Sequence, residues 1–283
     1  MEFRIFLPQL RREELKLSPL YSEYERVLSS LMAAFGSLNG SIPENREDTY
    51  LIGGCHFGVK NRAGKKLEIK IRTAKLNFNV EQWKKVKLGK KTVSHYKDEI
   101  LDLISQDSDQ QLPEDAQYIM AEKFLKVQKS RRTKLLGDIS KEICHISIPE
   151  NDRLWISFAI EGSLDGIHNF LCARAEIYHD SYLLIEALRI AAAIARIDSN
   201  FLPVVAGYPT WVRVASNSLK NEDEFYSILR SVDAFLTEVK SFTKVIAESA
   251  TGSSDRLIPE QTQAVAAADT NFEDDRKCCF KFC

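Results

Sequence analysis

The chain has 283 residues, enough for one large or two small domains, and 44% of them are apolar, enough to build a core. Thirty-nine Lys and Arg stand against 40 Asp and Glu, a net charge of -1, which excludes a uniformly basic nucleic-acid coat and a disordered acidic chain. No run approaches the ~18 consecutive apolar residues of a membrane span, since the longest, Leu183 to Ile197, is interrupted by Glu186, Arg189 and Arg196. Glu2 and Arg4 inside the first apolar stretch do not read as a secretory signal. Six cysteines, three of them among the last six residues, make no disulfide framework and point to a reduced, cytoplasmic setting.

In chain order, Met1 to Leu7 alternates, with Phe3, Ile5 and Leu7 on one parity and Glu2, Arg4 and Phe6 on the other, which predicts a strand. Ser18-Pro19 opens a helix carrying Leu20, Tyr24, Val27, Leu28, Leu31 and Phe35 on one stripe, with Gly36 as its stop. A strand is expected around Asp48 to Ile52. Phe57 to Arg62 and Lys66 to Arg72 form a hairpin about Ala63-Gly64. Glu99 to Ser105 reads as a short helix and Asp107 to Asp115 as a polar loop. Strands follow at Phe124 to Arg131, Glu142 to Ile148 and Leu154 to Glu161. A long helix runs from Ile177 to Ile197, Val204 to Pro209 is a strand and turn, and a second long helix starts at Asn221, with Glu222, Asp223 and Glu224 favouring its dipole. After Glu248 the composition turns to Ser, Thr, Ala, Gln and Asp, which predicts a disordered tail over residues 249–283 behind a single α+β domain over residues 1–248.

Charge is segregated along this order. Lys60 to Lys91 holds twelve basic residues against Glu68 and Glu81, and Ala121 to Leu135 holds six against Glu122, so the remainder carries -16. Within the strands the cations come two apart and so share a face: Lys60 with Arg62, Lys70 with Arg72, Lys129 with Arg131. A sheet closed into a barrel, apolar outside against helices and cationic inside, would gather them into a pocket for polyphosphate, because Arg forks and Lys point charges both suit phosphate oxygens. The bland alternative is a solvated sheet face, with Glu68 a cross-strand salt-bridge partner and Glu161 a strand-end surface carboxylate. Lys84, Lys85, Lys87, Lys90 and Lys91 lack clean alternation and read as an exposed rim. Glu2, Glu68, Glu142 and Glu161 each fall in a strand and are candidate ligands for a divalent cation that would bridge phosphoryl oxygens. The five histidines show no ligand spacing, and no zinc motif, P-loop, dinucleotide fingerprint or nucleophile elbow occurs.

The ordered set resembles the triphosphate tunnel metalloenzymes of the CYTH superfamily. Arg46-Glu47-Asp48-Thr49-Tyr50 resembles that family's D-x-Y strand, Gly58-Val59-Lys60-Asn61-Arg62 and Leu67 to Arg72 its basic hairpin, Val127 to Arg131 its later K-x-R strand, and Ser157 to Gly162 a strand carrying a metal glutamate. The resemblance implies a closed antiparallel β-barrel, a tunnel with covering helices. In it Lys60, Arg62, Lys70, Arg72, Lys129, Arg131 and Arg4 would grip a phosphate-rich small molecule. Glu2, Glu142, Glu161 and Glu68 would hold Mg or Mn, and Glu142 and Glu161 would serve metal-assisted hydrolysis. The family's first strand reads E-x-E-x-K, whereas the matching positions here are Glu2, Arg4 and Phe6, so phosphate binding is better supported than hydrolysis. The expectation from sequence is thus a protein that binds, and in one version hydrolyses, a tri- or polyphosphate; the other version is a non-catalytic module for polyphosphate, inositol phosphate or an anionic membrane. Nucleic acid has only Phe78 and Trp83 as nearby stacking residues. The terminal Cys278, Cys279 and Cys283 could accept lipid as a membrane tether, against an unmodified tail.

Overall fold

The computed structural model describes residues 1–9, 18–36, 43–54, 56–64, 66–89, 93–107, 123–173, 178–219 and 221–251. The expected loop at Asp107 to Asp115 beyond its first residue, the lysines at 90 and 91, and the tail cysteines lie outside these residues. The chain forms two compact units, Met1–Thr243 and Lys244–Cys283. The second contributes, among the described residues, only a helix end.

Among the described residues the first unit holds nine strands: β1 Glu2–Pro8, β2 Glu44–Leu51, β3 Phe57–Arg62, β4 Lys66–Lys75, β5 Glu81–Lys87, β6 Phe124–Leu136, β7 Ile139–Ile148, β8 Arg153–Gly162 and the two-residue β9 Val204–Val205. Its helices are α1 Pro19–Gly36, α2 Lys97–Asp107, α3 Leu164–Cys172, α4 His179–Ala195 and α5 Tyr208–Ala215, followed by α6, Glu222–Thr251, whose last turns belong to the second unit. The strands are hydrogen-bonded in the order β5-β4-β3-β2-β6-β7-β8-β1, all antiparallel. Pairing of Glu2 with Glu81 returns β1 to β5 and closes an eight-stranded barrel. The short β9 adds to β1 beside that closure, with Ile5 opposite Val205.

Alternation decides what faces out. Phe3, Ile5 and Leu7 of β1 are fully buried beneath a shell that includes α1 and α4, where Tyr24, Leu28, Leu31, Leu184, Leu188 and Ala191 pack. Each such side chain removed from water contributes ~1.5–3 kcal/mol before chain entropy is charged against it. On the other flank Phe57, Val59, Leu67, Ile69 and Ile71 bury against Ile100 of α2 and Val93. The Ala63-Gly64 turn joins β3 to β4 with both residues at positive φ, 51° and 67°, a conformation that costs a glycine nothing and an alanine something.

Three elements depart from the sequence expectation. The stretch Glu81–Lys87 is a strand. The expected long helix at 177–197 begins at His179, and α3 precedes it, capped by Ser163 Oγ, which accepts from the Gly166 amide at 3.0 Å. The expected turn at Tyr208-Pro209 is the first turn of α5, with Pro at a position where no amide donor is needed. Among the described residues, no helix is long and apolar enough to cross a membrane.

Candidate functional site: a cationic barrel lumen

The parity that buries Phe3, Ile5 and Leu7 outward sends Glu2, Arg4 and Phe6 into the lumen. Cross-strand register brings the matching residues of the other strands beside them: Arg46 lies opposite Lys129, Lys60 opposite Glu68, Arg4 opposite Ala159 and Glu142 opposite Ala159 from the other side. One end of the lumen is filled by α5. Its Trp211 stacks on Phe6 at 4.9 Å between ring centroids and meets Trp155 edge-on at 6.1 Å, while Tyr208 stacks on Tyr50 at 5.3 Å. Gly58 on β3 leaves room for this helix, since a β-carbon there would lie 2.8 Å from Pro209 Cγ. Arg213 of α5 is tied to Glu224 of α6 at 2.6 Å.

What remains is a cavity of about 290 Å³ lined by eight cations, Arg4, Arg46, Lys60, Arg62, Lys70, Lys85, Lys87 and Arg131, against three carboxylates, Glu68, Glu142 and Glu161. Its size is at the low end of the ~300–1,000 Å³ of small-molecule sites. Five of the seven cations expected from sequence line it: Lys60, Arg62, Lys70, Arg131 and Arg4. Lys129 and Arg72 do not. Lys129 is sealed by aromatic rings, its Nζ 3.6 Å from the Tyr208 ring centroid and 4.6 Å from that of Tyr50, donating to the Tyr50 hydroxyl and 3.6 Å from Asp48 Oδ2. Burial pushes its pKa down to about 7, the nearby Cys144 and Asp48 opposing. Arg72 is engaged by Glu81 at 3.0 Å and donates to His56 Nδ1 at 2.6 Å.

The lumen carboxylates are mostly committed to the chain's own cations. Burial would raise the pKa of Glu2, but the adjacent charges of Arg4 and Lys70 and their hydrogen bonds, 2.6 and 3.1 Å, hold it far below the usual carboxylate range. Glu142 is likewise held down against its burial by Arg4, 2.7 Å away, and by Arg131 at 3.2 Å. Glu44, toward the open end, accepts from Arg46 at 2.8 Å, Arg62 at 2.9 Å and Arg131; these bonds outweigh burial and bring it to about 2. Glu68 pairs with Lys60 at 3.2 Å. Glu161, 45% exposed in its side chain, has only Arg4 Nη2 at 3.9 Å. Among the described residues it is the lining carboxylate without a hydrogen bond to a cation.

A divalent cation does not fit these side chains as they stand. Glu2, Glu142 and Glu161 converge on the Arg4 guanidinium, Glu68 is taken by Lys60, and among the described residues no set of three or more His, Cys, Asp or Glu is arranged to hold a metal ion. The arrangement can bind anions through fixed donors.

Lys85 and Lys87 are exposed, as the sequence reading expected of a rim, and they also line the cavity. They share the parity of Trp83, and Lys85 lies directly opposite Lys70. The period-two signal was present at 83, 85 and 87 but masked by the intervening Lys84. The Glu44, Arg46, Asp48, Tyr50 stripe was equally readable as one strand face. Nothing local to Tyr208 pointed to the lumen, because its place follows from the docking of α5. Compared with known protein families the chain matches none, and comparison with curated proteins returns no match.

Proposed function

We propose that the lumen binds a tri- or polyphosphate anion, and that it works as a binding site more than as a hydrolytic centre. The observation that carries this reading is the excess of eight cations over three carboxylates lining one cavity. Like charges directly opposite on neighbouring strands, as at Lys70 and Lys85, are destabilising unless an anion lies between them. Arginines already steered by Glu44 and Glu142 present oriented N–H groups, so a phosphate meets donors whose reorganisation has been completed in folding. The eight-stranded barrel with cavity-lining cations on β3, β4 and β6 is compatible with a divergent relation to the triphosphate tunnel proteins. A cytoplasmic setting goes with it, Cys144 and Cys172 being free and buried.

Calorimetric titration of the full chain with tripolyphosphate tests the reading. Binding is expected to weaken as salt rises. Lys60→Ala should lose about tenfold in affinity, the worth of one charge-assisted hydrogen bond of ~1.5–3 kcal/mol less what release from Glu68 returns. Absence of heat at low salt, or binding indifferent to both Lys60→Ala and Lys85→Ala, would overturn it. Phosphate release from tripolyphosphate in Mg or Mn that Glu161→Ala abolishes would replace the binding role with a catalytic one.

A further inference from the structure

Glu2, Glu142 and Glu161 stand on three consecutive strands of the barrel, β1, β7 and β8, and their carboxylates close on a single point. Three inward carboxylates facing a cavity otherwise rich in cations would ordinarily call for a hard divalent ion that links protein oxygens to phosphate oxygens. Here the chain itself fills the point. Arg4 Nε is 2.6 Å from Glu2 Oε1, Nη1 is 2.7 Å from Glu142 Oε1 and 2.7 Å from Ser157 Oγ, and Nη2 is 3.9 Å from Glu161 Oε1.

This guanidinium is held in place. Its side chain is 4% exposed and rests on the Tyr208 ring, 4.8 Å from the centroid. Desolvation works against its charge, but Glu142 and Glu2 more than reverse that, so it stays protonated throughout the accessible pH range. A guanidinium has five N–H donors. The one on Nε and the pair on Nη1 are used by Glu2, Glu142 and Ser157, whereas Nη2 has Glu161 beyond hydrogen-bond reach. Arg4 also lines the cavity, so the Nη2 edge is the part of it left to meet a ligand.

We infer that Arg4 is the built-in substitute for a divalent metal and sets the specificity of the lumen, which takes polyphosphate as the metal-free anion with the Nη2 edge donating to a phosphate oxygen. This rests on the phosphate-binding reading above and adds to it a preference among phosphate species. A magnesium-bound triphosphate would carry a second cation into a cavity already lined by eight, and Glu161 alone is loosely enough held to receive it. Free inorganic polyphosphate is therefore bound ahead of the metal-complexed form.

The full chain titrated with tripolyphosphate, once in EDTA and once with magnesium in excess, decides the matter. Affinity in EDTA is expected to exceed that in magnesium several-fold, and equal affinities would overturn the preference. Binding that requires magnesium or manganese and vanishes in EDTA would overturn the inference while leaving the phosphate reading intact. Loss of binding in both conditions would remove the phosphate reading and the inference together. A second measurement uses manganese alone and thermal unfolding. Arg4→Gln removes the cation shared by Glu2, Glu142 and Glu161 and leaves Lys70 on Glu2 and Arg131 on Glu142, so manganese should raise the unfolding midpoint of that variant and leave the wild type unmoved. A rise in the wild type that Glu142→Gln abolishes would overturn the inference. Should Arg4→Gln not fold, the wild-type comparisons still decide it.

Discussion

Lys129 shows how position within the barrel changes what a cation can do. Around its ammonium stand Tyr50, Asp48 and Arg46 from β2, Tyr208 from α5, Cys144 from β7 and Lys60 from β3. Asp48, fully buried, already receives Arg46 at 3.1 Å, so it only partly compensates the lysine, and burial lowers the pKa to about 7. In the unfolded chain the value returns to about 10.4. Between those limits the unfolded state binds more protons than the folded one, so this group makes stability rise with pH from about 7 toward 10. The buried thiols Cys144 and Cys172 and the buried Tyr24, Tyr50 and Tyr208 are all raised by burial and pull the other way at the alkaline end. The difference between wild type and Lys129→Met isolates the lysine. Urea unfolding across that window should show wild type gaining stability relative to the variant as pH rises, and a constant difference would place the folded-state pKa near its ordinary value. The sequence put Lys129 on the luminal face, and that parity holds. Its enclosure by Tyr208 could not be read, because it is made by a residue 79 positions away along the chain whose own position depends on α5 docking.

The same dependence appears for whole elements. Strands with period-two patterns were legible because alternation is a local property that the barrel then uses, cleanly in β3 and β4 and, with Phe6 and Trp155 as apolar exceptions on the polar parity, in β1 and β8. β5 was not, since Lys84 on one parity and Lys85 and Lys87 on the other are the same residue type, all three are exposed, and no contrast marks the faces. α5 has eight residues beginning Tyr-Pro, too short for a helical stripe to outweigh a turn signal. Its helicity is justified by tertiary burial, with Trp211 and Val212 almost wholly enclosed. Gly58 reports on that docking. Its added β-carbon would press on Pro209 Cγ at 2.8 Å, whereas one at Gly64 meets nothing within 4 Å. Gly58→Ala should therefore cost ~1–3 kcal/mol by overpacking. Gly64→Ala should cost only the ~1 kcal/mol of a positive-φ backbone. Denaturant midpoints measure both, and equal losses would mean that α5 does not bear on β3 as described.

At the scale of the molecule, the barrel is not equally bonded around its circumference. β7 and β8 pair along their whole length, from Ile139 opposite Gly162 to Ile148 opposite Arg153, and β6 pairs with β7 over a similar span. β1 and β5 meet at one rung, Glu2 opposite Glu81, two carboxylates facing each other across the join. Glu81 is buried, and burial raises its pKa in spite of Arg72 and the Gly207 amide, which donates to it at 2.8 Å. The seam is thus the place with the fewest ladder hydrogen bonds and an unfavourable charge pair, and local opening should begin there. Hydrogen–deuterium exchange should find the amides of residues 81–87 exchanging well before those of 139–148 and 155–161. The proposed polyphosphate, held by Arg4 of β1 on one side and by Lys70 of β4 with Lys85 and Lys87 of β5 on the other, would span that seam and relieve the repulsion between Lys70 and Lys85. Because a ligand that binds only the closed state stabilises it by mass action, tripolyphosphate should slow exchange in β5 far more than in β7 and β8. Uniform slowing across all strands would show that the anion stabilises the fold without engaging the seam. Slowing confined to β6 and β7 would place it on the outer side of the Arg131 strand and away from Arg4.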